Sequence, residues 1–144
     1  MIYLICDIDG TLVKVPQTRR LAAFKQDWES FYASDFAQDA PIQGVVSLLE
    51  AWLEGGGIAH VVTARLDRAM AATCQWLVEH LPAMNRENLH LRMRTENETE
   101  PEVDWKVKQI VDICQKPSAA TVIEDNPETC YRLSKLGYTV LEVR

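Results

Sequence analysis

The sequence predicts an α/β fold, a doubly wound (Rossmann-like) parallel sheet of about five strands with helices on both faces. Three observations lead there. Short apolar runs alternate with stretches of helical periodicity along the whole chain. The joints between them carry Gly, Pro and polar residues. Several apolar runs end in carboxylate or hydroxyl side chains, which suits a fold that binds ligands at the carboxyl ends of its strands.

Each element follows from its residues. Ile2-Tyr3-Leu4-Ile5-Cys6 is rich in branched and aromatic side chains and reads as a buried strand, and Gly10 lets the chain turn sharply out of the sheet. Residues 13 to 18 read as irregular, with Pro16 as a breaker. A helix is expected from Arg19 to Ala33, where Leu21, Phe24, Trp28 and Phe31 recur at helical spacing and read as core. Ser34 to Pro41 is a polar loop. A second helix carries Val45, Val46, Leu49 and Leu53 and stops at Gly55-Gly56-Gly57. The strand Ile58 to Val62 follows at once. Helix Leu66 to Leu81, strand Leu89 to Met93, helix Val103 to Gln115, strand Ala120 to Ile123, helix Pro127 to Leu136 and strand Tyr138 to Val143 complete the alternation. Pro127 suits a first helical turn and Gly137 a helix terminus. Arg94 to Glu102 is the most polar stretch and reads as a surface loop. Residues 1 to 144 thus read as one domain, with 13 to 41 as a small flap or cap insertion.

Composition narrows the class. A chain of 144 residues, 47% hydrophobic, can bury one core and not two. Fifteen Lys and Arg stand against 21 Asp and Glu, a net charge of −6, so no global field draws the chain to nucleic acid or anionic membrane. No stretch approaches the roughly 20 apolar residues of a membrane span, and the opening apolar run leads straight into Asp7, so a cytoplasmic location is expected. Cys6, Cys74, Cys114 and Cys130 form no Cys-x-x-Cys pair, which argues for mostly buried thiols over a zinc site or disulfides. Strand alternation turns Cys6 to the face opposite Asp7. His60, His80 and His90 lack ligand spacing. No protein partner is indicated.

The chemistry lies in four places. The first strand delivers Asp7-Ile8-Asp9-Gly10-Thr11-Leu12, whose two carboxylates repel each other unless a cation or a shared proton joins them. Alone, this string reads more readily as a hairpin turn than as a site. The second strand, however, ends in Thr63-Ala64-Arg65, a later helix carries Lys106 and Lys108, and the fourth strand ends in Glu124-Asp125-Asn126. In this set and order the sequence resembles the haloacid dehalogenase-like (HAD) hydrolases, over nearly its whole length. The resemblance implies the strand order 3-2-1-4-5, minimal or no cap, and Mg²⁺-dependent hydrolysis of a phosphomonoester through an aspartyl phosphate. It implies Asp7 as nucleophile. Asp9 is the candidate to protonate the leaving oxygen and later activate water. Magnesium, which favours oxygen ligands, fits Asp7, the backbone carbonyl of Asp9, and Asp125, with Glu124 either a further ligand or a partner behind one. Thr11 is expected at the substrate. Thr63 and a lysine can supply donors for charge building on the phosphoryl oxygens. Lys106 and Lys108 point about 200° apart on a helix, so one faces the site. Asp104, four residues before Lys108, can orient that ammonium, and the expectation therefore falls on Lys108.

Without an inserted cap the site should be open and admit phosphates on large molecules. Within the family the sequence is most similar to the 3′-phosphatase domain of bacteriophage-type polynucleotide kinase, through Asp7 to Lys14, Val61 to Arg65 and the helix ending Gln75 to Glu79, Leu89 to Arg94, and Asp104 to Lys108. Arg65 matches an arginine those domains use near the phosphate. A nucleic-acid 3′ end or a nucleotide is thus the expected substrate. No Gly-x-x-x-x-Gly-Lys-Ser or Thr loop is present, so the sequence carries no kinase half. Arg19, Arg20, Arg65, Arg68, Arg92 and Arg94 are the cations available to a polyanion, and Arg19, Arg20 and Arg68 read equally as ordinary surface residues. Phosphatases of small metabolites or phosphoproteins are the alternative. A phospho-acceptor signalling domain is disfavoured because its acceptor follows the third strand, where this chain has Arg94-Thr95. A non-catalytic binding module is disfavoured because every motif position is filled.

Overall fold

The computed structural model describes all 144 residues. Five strands, β1 (Tyr3–Cys6), β2 (Ile58–Leu66), β3 (Leu89–Arg94), β4 (Ala120–Glu124) and β5 (Thr139–Glu142), form one parallel sheet in the order β3-β2-β1-β4-β5. This is the expected fold and strand order. The helices are α1 (Gln17–Phe24), α2 (Trp28–Tyr32), α3 (Gln43–Glu54), α4 (Met70–His80), α5 (Glu102–Ile113) and α6 (Pro127–Lys135).

Strand alternation sorts the core into two layers. Leu4 and Cys6 pack with Leu49, Leu53, Trp76 and Leu77 of α3 and α4, whereas Ile5 packs with Trp105, Ile110 and Leu133 of α5 and α6. Cys6 therefore faces α3 and α4, and burial pushes its thiol well above the ordinary range. Cys114 and Cys130 are buried as expected, while Cys74 is exposed. None of the helices is long and apolar enough to cross a membrane.

The single helix expected over Arg19 to Ala33 is two helices. Gln26 between them takes φ +57°, a conformation unfavourable for a residue with a Cβ, and Asp27 restarts the chain by accepting from the Ser30 N–H. Nor is the aromatic stripe core. Phe24 is 87% exposed, Leu21 49% and Trp28 48%, and the buried aromatic of this segment is Phe36. α1 and α2 pack on each other, and Phe31 and Tyr32 pack with Phe36 on a small cluster at the sheet's edge that includes Met93 of β3, their rings in edge-on or tilted contact. Tyr32 fixes the arrangement, its hydroxyl accepting from the Leu66 N–H at 2.8 Å.

The register sets the site. Cys6 lies level with Val61 on one side and Ile123 on the other, so Asp7, the end of β2 and Glu124 emerge along one edge. β2 runs past its neighbours through an irregularity between Thr63 and Leu66, which carries Arg65 over the edge.

Candidate active site

Asp7 leaves β1 on the α5–α6 side and is buried, 6% exposed. The loop after it is tight: the Ile8 carbonyl accepts from the N–H groups of Thr11, Leu12 and Val13, and Gly10 takes φ +81°. Gly10 is required twice over. A Cβ there would lie 2.1 Å from Asp125 Oδ2, so only glycine lets this loop close on the acidic end of β4.

Lys106 reaches Asp7 from α5. Its Nζ stands 2.8 Å from Asp7 Oδ1 and 3.1 Å from Glu124 Oε2, and it is itself 3% exposed. Burial alone would lower this ammonium, but the two carboxylates outweigh it and raise it beyond its ordinary range. Lys108, expected in this place, is 73% exposed and only loosely paired with Glu100. Asp104 does not orient it either: Asp104 is bound by Arg132 of α6. The expectation erred because it weighed a neighbour within the helix, whereas the choice is made by which face of α5 meets the sheet.

Asp7, Glu124 and Asp125 bring carboxylate oxygens within 4.8 Å of one another. Glu124 Oε1 accepts from the Asp125 and Asn126 N–H groups at 3.1 Å, while Oε2 receives no hydrogen bond despite the nearby ammonium. Thr11, expected at the substrate, is instead fully buried, its hydroxyl 3.3 Å from both Asp7 Oδ2 and Asp125 Oδ1. It braces the acids. Burial pushes Asp7 well above the carboxylate range, with Lys106 pulling it back and Glu124 pushing it further; Glu124 is raised by burial as well. Three clustered acids against one lysine leave negative charge uncompensated, and this oxygen-only set could hold a hard metal ion.

A second charged group lies on the other side of the cleft. Asp9 is held by Arg65 in a two-pronged pair, Nε to Oδ2 and Nη2 to Oδ1, both 2.8 Å. Arg19 Nη2 lies 3.3 Å from the same Oδ1. Burial would raise Asp9, but Arg65 and then Arg19 outweigh it and hold it below the ordinary range. The Asp9 side chain is thus no member of the acidic cluster. Behind both arginines sits Asp39, 5% exposed, accepting from Arg19 Nη1 at 2.9 Å and from Arg65 Nη2 at 3.3 Å. Both guanidinium groups stack on Phe36, at 4.4 and 4.5 Å. Arg19, which read equally as a surface residue, is 1% exposed. Asp39 gave no signal beyond being an acid in a polar loop.

Thr63 is buried at the cleft, its Oγ1 accepting from the Arg65 N–H. Of the remaining arginines, Arg92 pairs with Asp112, and Arg94 is occupied by the carbonyls of Glu98 and Glu100. The cleft has a volume of about 660 Å³, with Asp7, Asp9 and Lys106 on its floor.

Acids at the ends of β1 and β4 and a lysine from α5 thus stand on a 3-2-1-4-5 sheet, a fold shared with solved HAD family enzymes. No protein-family model matches the chain, and no curated protein matches it. Solved structures do. A chain of the Pnkp1/Rnl/Hen1 RNA repair complex superposes in two structures with TM-scores of 0.75 and 0.71 at 19% and 18% identity, over 98% of this chain and 45% and 42% of those. A HAD family enzyme of Bacteroides thetaiotaomicron, in complex with magnesium and inorganic phosphate, has a TM-score of 0.61 at 14% identity, covering 99% of this chain and 93% of that one. D,D-heptose 1,7-bisphosphate phosphatase of Burkholderia thailandensis has a TM-score of 0.56 at 11% identity, covering 96% and 75%. The chain spans less than half the length of the RNA repair chains it matches.

Proposed function

We propose that the chain is a cytoplasmic, magnesium-dependent phosphomonoester hydrolase that works through an aspartyl phosphate and acts on 3′-phosphate ends of nucleic acid or on nucleotides. The observation that carries the chemistry is a single buried carboxylate, Asp7, placed between Lys106 and the Glu124–Asp125 pair at the floor of a cleft. Asp7, Asp125 and the Asp9 carbonyl would hold the magnesium ion, with Glu124, capped by two backbone amides, as ligand or support. The ion would offset the repulsion between carboxylate and phosphate dianion.

The chain's own residues supply the rest. An Asp7 oxygen attacks phosphorus, the P–O bond to the leaving alcohol breaks, and water later releases inorganic phosphate and regenerates the carboxylate. Lys106 and the Thr63 hydroxyl donate to the equatorial oxygens as charge develops on them. Asp9 protonates the leaving oxygen, and for this it must exchange its Arg65 pair for a proton. An arriving dianion competes for Arg65 and Arg19, which loosens their hold on Asp9. A 3′ end is favoured over a small metabolite by the higher TM-scores against the RNA repair complex, 0.75 and 0.71, than against the heptose bisphosphate phosphatase, 0.56.

The test is phosphate release with magnesium, with EDTA and with Asp7→Asn, using one oligonucleotide phosphorylated at its 3′ end beside the same one phosphorylated at its 5′ end. Release from the 3′ end, lost in both controls, is expected. Release from neither, with an aryl phosphate still cleaved, would keep the chemistry and move the substrate to small metabolites or phosphoproteins. Turnover unimpaired by Asp7→Asn would overturn the reaction itself.

A further inference from the structure

We infer that the α1–α2 segment is a recognition lip that stacks the terminal nucleobase of a 3′-phosphorylated strand on Trp28. The inference rests on the reading of the site as a 3′-phosphatase. Phe31 and Tyr32 pack on a small cluster of Phe36, Ala69 and Met93, and together with Trp28 they line the cleft that holds Asp7. The stripe is anchored at its inner end. Tyr32 is bonded to Leu66 and packs on Phe36 at 6.0 Å, Phe31 packs edge-on against Tyr32 at 4.9 Å, and Trp28 stands edge-on to Phe31 at 5.4 Å. A rigid aromatic stack therefore presents a half-exposed indole, a ready platform for a planar ring, since every base has a π-face to offer.

Charge decides the class of ring. Arg68 lies over the Tyr32 ring at 4.3 Å, about half of its side chain exposed and paired with Glu96 at 3.6 Å, and Arg20 also lines the cleft. Glu98 and Glu102 also line the cleft. A strand whose 3′-phosphate reaches Asp7 meets Arg20 of α1 and Arg68 beside Tyr32 of α2 among the cations of the cleft, and leaves it across these helices. Its last base then meets Trp28, and its next phosphate meets Arg20 and Arg68. The cleft, about 660 Å³, is far larger than a phosphate and of the size that holds a nucleotide.

The experiment compares kcat/KM for a short 3′-phosphorylated DNA with that for the same strand carrying an abasic terminal residue, in the wild type, Trp28→Ala and Trp28→Phe. A base stacked on an aromatic residue predicts a wild-type preference of roughly tenfold or more for the base-bearing end. Trp28→Ala should abolish that preference and Trp28→Phe should retain most of it. Tyr131→Ala, which removes an exposed ring on α6 outside the cleft, should leave the preference intact. Equal cleavage of both ends by the wild type, or a preference that survives Trp28→Ala, overturns the lip and leaves the phosphatase reading standing. Cleavage of neither end, with an aryl phosphate still hydrolysed, overturns the lip together with the 3′-end assignment.

Discussion

Asp39 and Asp9 share the same two guanidinium groups. Arg65 places Nη2 between the Oδ1 of Asp9 and the Oδ2 of Asp39, and Arg19 bridges the same pair. Asp9 borders the cleft with a side chain 26% exposed, whereas that of Asp39 is 1% exposed behind it. One carboxylate is free to change partners and the other is fixed. Asp39 thus keeps both arginines in place when Asp9 lets go of them.

Removing Asp39 should therefore cost both stability and turnover. Asp39→Ala leaves two buried guanidinium groups to one partly exposed acid, and breaking a buried pair in this way costs about 3–5 kcal/mol. Denaturant unfolding reads that loss. Kinetics distinguish positioning from mere destabilisation: below the unfolding transition, Asp39→Asn, which keeps shape and acceptor oxygen, should lower kcat by more than it changes KM.

Lys106 and Lys108 should separate sharply. Lys106→Met strands Asp7 and Glu124 in the interior with no counter-charge, so a loss of about 3–5 kcal/mol and of phosphate release is expected. Lys108→Met removes an exposed ammonium and should stay within about 0.5 kcal/mol of the wild type, with activity retained. Thermal melts and a single-substrate assay decide this, and equal loss in both variants would reject the placement of Lys106.

Metal stabilisation should depend on pH. Asp7 and Glu124 are raised on folding, so their contribution is fully present below the unfolded carboxylate value of about 4 and is lost as pH rises through their higher folded values. Without a divalent cation the chain should be less stable at about pH 8 than at about pH 5. Magnesium at 100 times its dissociation constant should return about 2.7 kcal/mol, most visibly at the higher pH. Asp9 runs the other way: its lowered value gives stability above about pH 4 that is lost only as pH falls through it, so it adds nothing between those two conditions. Melting temperatures in magnesium and in EDTA at both pH values test the sign.

Gly10→Ala combines a left-handed backbone with a collision against Asp125 Oδ2. The backbone term alone is about 1–2 kcal/mol. Because the collision displaces a candidate metal ligand, the loss of magnesium affinity in calorimetry should exceed the loss of stability in the metal-free protein.

How much of this was readable in advance depended on whether a residue's partners lie near it in sequence. β1 and its acids were legible because an apolar strand that ends in Asp-x-Asp-Gly carries its own turn and its own chemistry. The strand order came with the family resemblance that the endings of the other runs carry. Lys106 was narrowed to one of two by helical geometry, but the decision belonged to Asp7, 99 residues away. The break at Gln26 carried no Gly or Pro to announce it, although the Asp27 cap with Ser30 three residues on was a usable sign. The stripe through Trp28 had the periodicity of a buried face. Periodicity reports that a face is apolar, not whether sheet or cleft lies opposite. Arg19 and Asp39 meet across twenty residues of irregular chain, with no spacing rule to join them.

The position of β1 has a consequence for assembly. Its neighbours in the sheet come from residues 58–61 on one side and 120–123 on the other, so the middle strand is the first to be made and is enclosed only when β4 arrives. As the chain leaves the ribosome, β1 can pair with β2 after about half of it has emerged, while Asp7 waits for its counter-charge, Lys106, 99 residues further on. Long-range parallel pairing of this kind is slow to form. A nascent or truncated chain ending before residue 106 thus holds Asp7 without its counter-ion, and one ending before residue 124 lacks the acids of β4, so the candidate site is complete only once β4 closes on β1.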